Sequence, residues 1–432
     1  MRPHLKVSVI PLVLFFIFTL LTAVATSAAS PIRYGKISWC FAPYYPNYEP
    51  VYIAFEVELA YAYTGQSVGD TVTETLHYDG GATTPVVLTV TEVQPAQGWV
   101  RAVGNVRPLV SMPHTYAWLD TCCRDGDLNN RSGENFTVSS LVNIWAEWSC
   151  SPETGVPPIV WLAGGLGDTF QIPIPYRRGT DSAEPLCSLT GDGLNPDGMT
   201  IDPDRCVITW TPTTGDPSKL WTAQVEVGDS FGSVPYTSTG LDFLLGLDDA
   251  KPTCLLQSVD PGPPTHLEVF IQDSRSGVAS VQVLESANTS VNIPSFLPGT
   301  TGELTVVGTK IDQSRSARLR LRVTDLAGNA TECDPILTEE TRETGAPQTS
   351  THTGIPPEEH VVTVYNGDPG LQSLDIDVNG RKFKMNGLRT GEERTLDVAA
   401  AMPAAGMSTI TLTTRSKPGG SAVVMIWDGI SQ

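Results

Sequence analysis

Apolar and polar residues alternate along much of the chain. Between Val51 and Ala60, apolar residues occupy every odd position, and glutamates, alanines and a tyrosine occupy the even ones. Between residues 318 and 323 arginines alternate with Leu, Leu and Val, and residues 223–227 and 409–413 repeat the pattern. Because successive side chains of a strand point to opposite faces, this period of two predicts strands with one buried face.

Short turn signals separate these stretches. The pairs Asn366-Gly367, Asn379-Gly380 and Asn386-Gly387 consist of residues that tolerate the positive φ angles of tight hairpin turns. No segment of twelve or more residues carries the apolar stripe of an amphipathic helix. We therefore predict an all-β chain built of tandem β-sandwiches rather than one large barrel.

Clusters of Pro, Gly and polar residues indicate the domain boundaries. Two such clusters lie at residues 151–158 and 246–252. A third stretch, residues 338–359, is rich in Glu, Thr, Gly and Pro and has almost no large apolar side chain, which is typical of an extended linker. The predicted organisation is a leader at 1–29, β-domains at 31–152, 153–247, 248–338 and 359–431, and a linker at 339–358.

The leader has the three parts of a secretory signal peptide. Arg2 and Lys6 give a positive start, an apolar stretch follows from Val7 to Val24, and small residues end the segment. No later apolar run is long enough to span a bilayer. We therefore expect a mature protein without a membrane span that is secreted, or that lies on the cell surface.

Composition excludes two other classes of protein. Only 17% of the residues are charged and 40% are hydrophobic, which is too apolar for a disordered chain. The formal net charge of -20 argues against a nucleic-acid partner, because phosphate binding depends mainly on Lys and Arg.

The eight cysteines are an even number and, in an exported chain, predict disulfides. No C-x-x-C pair indicates a metal site. Each β-domain is expected to close its own bridges, so Cys40, Cys122, Cys123 and Cys150 should pair within the first domain. Cys122 and Cys123 are neighbours in the sequence, and we expect them to bond to different partners.

The second domain carries a motif of a known type. It includes N-P-D-G-M-T-I-D-P-D-R-C-V-I-T-W-T-P-T from Asn195 to Thr213 and V-E-V-G-D-S-F-G from Val225 to Gly232. These stretches resemble the Ig-like or dystroglycan-type cadherin-like domains of secreted bacterial proteins. The resemblance implies a β-sandwich and a bacterial source.

Two further expectations follow from this resemblance. The family usually has Gly where this chain has Cys206, and Cys187 lies on the preceding predicted strand, so a bridge between the two inside the domain is expected. Some cadherin-like domains bind calcium through acidic positions, and Asp181, Glu184 and Asp229 are the candidates for that metal here. No other cofactor is expected.

Residues 252–335 resemble a second Ig-like module of secreted bacterial proteins. The signals are D-S-R-S-G-V-A-S-V from Asp273 and V-T-D-L-A-G-N-A-T-E-C-D-P from Val323. By this resemblance, Cys254 near the first strand and Cys333 near the last would join the ends of the module. Closing a loop of that length can stabilise a fold by roughly 4 kcal/mol. The first and last domains show no recognisable family motif.

Two short motifs could carry chemistry. G-D-S-F-G around Ser230 matches the G-x-S-x-G of serine hydrolases, but no helical pattern follows it, which favours a turn after a strand. Asp125, Asp127 and Asn129 alternate like the start of a calcium loop, but the required Gly and final Glu are absent, which favours a polar turn.

Six aromatic residues crowd the start of the first domain, namely Trp39, Phe41, Tyr44, Tyr45, Tyr48 and Tyr52. Exposed rings stack on sugars, so a carbohydrate platform is one interpretation. Burial in the core is the other, because aromatic rings supply much of the buried area of a small domain.

These patterns favour a non-enzymatic, secreted or surface-associated scaffold that acts in adhesion, structural spacing or partner binding. Tandem domains suit such work, because each folds alone and its loops are free to vary. The expected partner is an extracellular protein or a glycan. The alternative is a carbohydrate-binding or hydrolytic protein with its site in the first domain.

Overall fold

The computed structural model describes most of the chain after the predicted leader, which lies outside the described residues. The described residues are 30–41, 51–112, 114–143, 150–179, 184–190, 195–231, 234–260, 264–313, 315, 317–333, 336–342 and 346–427. Apart from two short 3-10 helices, Pro95–Gln97 and Ala399–Ala401, every regular element in these ranges is a β-strand. The predicted all-β class is therefore confirmed. Across the same ranges, no helix has the length and apolar character needed to cross a membrane.

The strands fall into four groups along the chain, which we call modules. The first module comprises β1 (Ile32–Phe41), β2 (Val51–Ala62), β3 (Thr71–Tyr78), β4 (Ala82–Gln94), β5 (Trp99–Val106), β6 (Leu109–Val110), β7 (His114–Thr121) and β8 (Phe136–Asn143). The second module comprises β9 (Ile159–Ala163), β10 (Phe170–Pro173), β11 (Glu184–Leu189), β12 (Thr200–Asp202), β13 (Val207–Trp210), β14 (Trp221–Phe231) and β15 (Val234–Asp248).

The other two modules complete the chain. The third module comprises β16 (Thr253–Asp260), β17 (His266–Gln272), β18 (Val278–Ala287), β19 (Thr289–Asn292), β20 (Leu304–Lys310), β21 (Ala317–Asp325) and β22 (Ala330–Cys333). The fourth module comprises β23 (Ile336–Thr341), β24 (Thr349–Ile355), β25 (Val361–Asn366), β26 (Ser373–Val378), β27 (Arg381–Asn386), β28 (Glu393–Asp397), β29 (Ser408–Arg415) and β30 (Ser421–Trp427).

One sheet runs through the first and second modules. Its strands follow the order β11-β14-β15-β1-β2-β5-β4-β3-β7-β8, with β6 beside β2 and β9 beside β15. The modules join where β1 pairs with β15, for example at Gly35 opposite Asp242. The second module is closed by a small sheet, β10-β13-β12. The boundary predicted near residue 152 lies in the connection between β8 and β9, two strands of this one sheet.

The large sheet curls so that β8 crosses over β15. At the crossing, Leu141 N donates to Ser238 Oγ at 2.8 Å. Gly240 permits this close approach, because a Cβ at its position would lie 1.8 Å from the carbonyl oxygen of Ser139. The crossing closes the core of the first module against the second.

The crossing also covers a strand that the sequence predicts to be half-buried. Residues 223–227 lie in β14, and their apolar members Ala223, Val225 and Val227 are fully buried as expected. Gln224 on the opposite face is only 7% exposed, because its side-chain amide donates to a carbonyl of β8. Tertiary packing has thus covered the polar face as well.

The motif of the second module forms two paired strands joined by a tight turn. Ile201 on β12 pairs with Ile208 on β13, and Trp210 at the end of β13 is 1% exposed. The connecting turn is held by Asp202, whose Oδ1 accepts two backbone N–H groups at 3.1 Å. Cys206 has a φ of 52°, in the left-handed region that glycine favours. This conformation agrees with the Gly that the similar domains usually carry there.

Each module has its own cluster of buried apolar side chains. In β21, Leu319, Leu321 and Val323 are fully buried and alternate with arginines, as the sequence predicts. The third and fourth modules are also joined, because the sheet continues from β21 through β23 to β30. Val423 and Met425 of β30 consequently belong to the core of the third module.

Residues 339–358, expected to form a linker, contain regular structure. β23 pairs with β30 up to Thr341, and β24 pairs with β29. Thr349 faces Thr413 across β24 and β29, with 3.1 Å between the hydroxyl oxygens, and Ile355 is fully buried in the fourth module. The composition favours a linker because large apolar residues are scarce. Threonine, however, forms strands readily where a partner strand is present.

The eight cysteines form four disulfides. The pairs are Cys40–Cys150, Cys122–Cys123, Cys187–Cys206 and Cys254–Cys333. The last two are the pairs that the family resemblances imply. The expectation that Cys122 and Cys123 bond to different partners is wrong. Cys40 and Cys150 already face each other across an antiparallel bridge, which leaves the two neighbouring cysteines to each other.

Candidate functional site

Three aspartates meet where the second module joins the third. Asp248 is the last residue of β15, Asp273 follows β17, and Asp325 is the last residue of β21. Their carboxylate oxygens lie within 4.8 Å of one another. The residues are 0%, 4% and 2% exposed, respectively. We call this group the acidic cluster.

Tight turns hold two of these carboxylates in place. Asp273 Oδ1 accepts the backbone N–H groups of Arg275 and Gly277, at 3.1 and 2.7 Å. Asp325 Oδ1 accepts the backbone N–H of Asn329 at 2.8 Å. The D-S-R-S-G and D-L-A-G-N segments of the sequence are therefore turns that fold back onto their own aspartate.

Further hydrogen bonds cross from the third module to Asp248. Ser276 donates its backbone N–H to Asp248 Oδ2 at 3.1 Å. Asn329 Nδ2 donates to the backbone oxygen of Asp248 at 2.9 Å and to Asp325 Oδ2 at 3.0 Å. The joint between the two modules is thus built around the acidic cluster.

The carboxylates act on one another electrostatically. Burial raises the pKa of Asp273, and the charge of Asp248 adds to the rise. Burial is also the largest cause of the raised pKa of Asp325, and Asp248 again contributes. Arg275 lies on the same turn as Asp273 but pairs with the exposed Asp249 at 2.9 Å. An added cation would relieve the repulsion within the cluster.

The calcium candidates that the resemblance indicates lie elsewhere. Asp181 is outside the described residues. Glu184 is exposed and pairs with Arg178 at 3.2 Å. Asp229 is fully buried and accepts a hydrogen bond from the hydroxyl of Tyr176. The structure does not bring Glu184 or Asp229 into the acidic cluster.

Asp125, Asp127 and Asn129 lie in the loop between β7 and β8, and all three bind protein groups. Asp125 accepts a hydrogen bond from Arg33 at 2.7 Å, and Asp127 pairs with Lys219 at 2.6 Å. Asn129 Nδ2 donates to two backbone carbonyls of the second module. These contacts fit the polar-turn interpretation, and those of Asp127 and Asn129 fasten the loop to the second module.

The same loop contributes a buried ion pair. Arg124 is 3% exposed and donates to both carboxylate oxygens of Asp242, which is fully buried, and to Thr222 Oγ1 at 2.7 Å. Its guanidinium also lies 5.1 Å from the ring centroid of Phe136. Burial raises the pKa of Asp242, and the charge of Arg124 opposes that rise. The pair fastens the first module to the second.

Ser230, the candidate nucleophile, lies within β14 at a position paired with Glu184 of β11. It is 3% exposed, and its Oγ donates to the backbone oxygen of Glu184 at 3.2 Å. A nucleophile elbow instead presents its serine at a turn between a strand and a helix. Residues 228–231 of the motif lie in β14, not in the turn after a strand that the sequence favours.

The aromatic residues at the start of the first module have different environments. Trp39 is 2% exposed and donates its Nε1–H to Leu141 O at 3.0 Å, and Phe41 packs against the core. Tyr52 is 45% exposed. The other three lie outside the described residues: Tyr44, Tyr45 and Tyr48.

A second aromatic group, which the sequence analysis missed, lies on the outer face of the first module. Tyr116 on β7 is 50% exposed. Trp118, two positions further on, stacks on His77 of β3 with ring centroids 5.2 Å apart. Trp118 and His77 occupy directly paired positions of β7 and β3, so Tyr116, Trp118 and His77 lie on one face of the sheet. We call these three side chains the aromatic patch. In the sequence, this patch could have been recognised from the alternation of aromatic residues with small or aliphatic residues along β7.

The acidic cluster was also missed, although parts of it were visible. Asp273 begins one quoted motif, Asp325 is the third residue of another, and Asp248 lies at a predicted boundary. An aspartate at the start of two turns of one module was the available signal. That the two turns and the boundary meet is a property of the fold.

Comparison with known proteins relates the first module to integrin beta-like proteins. A family profile described as Integrin beta-like protein A-E, N-terminal, matches residues 33–145. Integrin beta-like protein B of Dictyostelium discoideum is 22% identical over 254 residues. That match covers 55% of this chain but only 13% of the relative, so the chain corresponds to a small part of it. The bacterial source stays a prediction.

Two solved cadherin structures are also similar to this chain. The human Desmocollin-1 ectodomain has 10% identity and a TM-score of 0.19, covering 65% of this chain and 64% of that one. Drosophila N-cadherin EC1-4 has 10% identity and a TM-score of 0.18, covering 66% and 82%. TM-scores this low carry no argument about function.

Proposed function

We propose that the chain is a non-enzymatic, adhesion-type protein of the cell exterior that contacts its partner through the aromatic patch. One observation carries the proposal: the patch lies within residues 33–145, the range that matches the integrin beta-like N-terminal profile. An exposed apolar group on a defined face is a common mark of a binding surface. Four disulfides favour an oxidising, extracellular location.

The patch has the properties of a binding surface. Tyr and Trp are enriched among the residues that carry most of the energy of protein interfaces. Here Trp118 and His77 occupy directly paired positions of β7 and β3, so the sheet holds their rings in place. Little conformational entropy is lost when a partner binds rings that are already ordered.

The continuous sheets support a role in spacing as well. β1 pairs with β15, and β23 joins the third module to the fourth. Connections through paired strands resist bending more than flexible linkers do. The chain would therefore hold the aromatic patch away from its other end as a stiff support.

Carbohydrate binding through the same patch is the second candidate. The stacked His77 and Trp118 rings, together with exposed Tyr116, favour it because flat rings can stack on sugars. The hydrolytic alternative has less support, because Ser230 is buried within a strand pair.

The test compares binding of the full chain and of Tyr116→Ser to an array of extracellular proteins and to a glycan array. Tyr116→Ser should weaken binding to the recognised target by about tenfold or more. Met407→Ser is the matched control, because Met407 is 69% exposed but lies in the fourth module. Undiminished binding by Tyr116→Ser would contradict the proposed surface. Turnover of a hydrolase substrate, with no binding on either array, would contradict the non-enzymatic role.

A further inference from the structure

Four asparagines of the chain stand in the sequence Asn-x-Ser/Thr, the signal for attachment of an N-linked oligosaccharide. They are Asn130, Asn135, Asn288 and Asn329. The signal alone is not sufficient, because the attached glycan is bulky and hydrated and needs an acceptor that faces solvent. The surroundings of the four amides therefore decide which asparagine can carry a glycan in the folded protein.

Two of the four amides use both of their N–H groups inside the fold. Asn288 Nδ2 donates to two backbone oxygens of the turn after β20, at 2.8 and 3.1 Å. Asn329 Nδ2 donates to the backbone oxygen of Asp248 at 2.9 Å and to Asp325 Oδ2 at 3.0 Å. A glycan replaces one of the two hydrogens on the nitrogen. It would therefore break one of these bonds and leave its acceptor without that donor.

The amide of Asn130 lies against the second module. Its Nδ2 donates to the backbone oxygen of Thr222 at 3.0 Å, and its Oδ1 accepts the backbone N–H of the same residue at 2.8 Å. This side chain fills the space between its own loop and β14, where a glycan would push the loop and the strand apart. A chain modified at this position would lose contacts between the first and second modules.

Asn135 differs from the other three. It is exposed, and its side chain forms no hydrogen bond with the rest of the described chain. It directly precedes β8, whose first residue, Phe136, is fully buried, whereas Thr137 is again exposed. Alternate residues of an extended segment point to the same side, so the amide of Asn135 and the hydroxyl of Thr137 both face solvent. Both groups that the acceptor sequence requires are thus accessible.

We propose that, in a secretory pathway that attaches N-linked glycans, Asn135 is the glycosylation site of this chain and the other three asparagines stay unmodified. The donor is an oligosaccharide carried on a lipid diphosphate. The amide nitrogen of Asn135 forms a bond to the anomeric carbon of the first sugar and loses one proton. The bond between that carbon and the diphosphate oxygen breaks, and the lipid diphosphate leaves with the electron pair. The proposal shares with the proposed function only the export of the chain, so the glycan and binding experiments can fail separately.

The first test is expression of the full chain in cultured human cells behind a signal peptide of the host. Peptide N-glycosidase F converts each glycosylated asparagine to aspartate, and mass spectrometry of the peptides then identifies the modified positions. Asn135 should be converted in most of the secreted chains, and Asn130, Asn288 and Asn329 should not. If little protein reaches the medium, the same digestion is applied to the chain purified from the cell's membranes. An unmodified Asn135 in both fractions overturns the proposal.

Variants separate the acceptor role of Asn135 from a structural one. Asn135→Gln and Thr137→Ala should both lose the glycan, whereas Thr137→Ser should keep it because the hydroxyl remains. Asn135→Gln should melt within about 2 °C of the enzymatically deglycosylated wild type, since an exposed side chain without hydrogen bonds adds little stability. A lower melting temperature together with an unchanged glycan would instead show that Asn135 is structural, and would overturn the proposal.

Asn329→Gln is the matched control. It should keep the whole glycan but melt about 3 °C or more below the wild type, because it disturbs both bonds at the joint of the second and third modules. A smaller glycan content in Asn329→Gln, or conversion of Asn130, Asn288 or Asn329 in secreted wild-type chains, would contradict the assignment to Asn135 alone.

Discussion

Replacing Arg124 with methionine tests how firmly the first module is fused to the second. Methionine keeps much of the apolar packing over Phe136 but removes the partner of the buried Asp242 carboxylate. Breaking a buried ion pair by removing one member typically costs about 3 to 5 kcal/mol, because an uncompensated charge remains inside. For a unit of this size each kcal/mol lowers the melting temperature by about 2 to 4 °C, so we expect a loss on the order of 10 °C.

The loss should depend on pH. In the wild type, burial raises the pKa of Asp242 and Arg124 opposes the rise. Without Arg124 the folded-state pKa should lie further above the unfolded value of about 3.9. A carboxyl group with a raised folded-state pKa stabilises the folded state at low pH, where it is protonated. Its contribution to the free energy of unfolding is lost as the pH rises through the folded-state pKa. Arg124→Met should therefore be closest to the wild type near about pH 4 and furthest from it above about pH 7.

Thermal melting followed by circular dichroism across that pH range is the assay. Arg131→Met, in the same loop, is the control and should cost no more than about 1 kcal/mol, since the Glu134 that Arg131 pairs with is exposed. The double variant Arg124→Met/Asp242→Leu should recover much of the loss, because no buried charge remains. A loss below about 3 °C at neutral pH, or one that is the same at every pH, would refute the reasoning.

Two further substitutions test the packing of other parts of the fold. Gly240→Ala should lower the free energy of unfolding by about 2 kcal/mol or more, because the new Cβ meets a backbone carbonyl at 1.8 Å; Gly302→Ala, where a Cβ meets nothing within 4 Å, should not. Equal stability of the two variants in urea titrations would argue against the crossing of β8 over β15. Ile355→Ala should destabilise the fourth module by about 2 to 5 kcal/mol, whereas Thr351→Ala, on the exposed side of β24, should have little effect. If Ile355→Ala melts like the wild type, the segment behaves as a linker.

Much of the local structure could be predicted because its signals are local. The alternation in residues 51–60 and 318–323 predicted strands that the structure contains, with the apolar side chains it describes there buried. Asn379-Gly380 forms the predicted tight turn, with φ angles of 51° and 89° between the paired Val378 and Arg381. Side-chain direction along a strand and tolerance of positive φ are properties of the residues themselves.

Which strands pair could not be predicted in the same way. β1 pairs with β15 although most of the first and second modules lies between them in the sequence. β24 pairs with β29 although the composition of β24 is typical of a linker. Backbone hydrogen bonds are made by the same groups in every residue, so a strand's sequence does not name its neighbour. The burial of the polar face of β14 could not be predicted either, because Gln224 is covered by β8, which is distant in the sequence.

The candidate sites show the same difference between what the sequence predicts and what only the structure shows. The chain's own pattern determined an all-β protein of short strands joined by tight turns. Only the tertiary structure decided that Asp273 and Asp325 meet Asp248, and that the rings of β3 and β7 share one outer face. The reason is physical: a local pattern sets the direction of each side chain, whereas the distance between side chains far apart in the sequence depends on how whole strands pack.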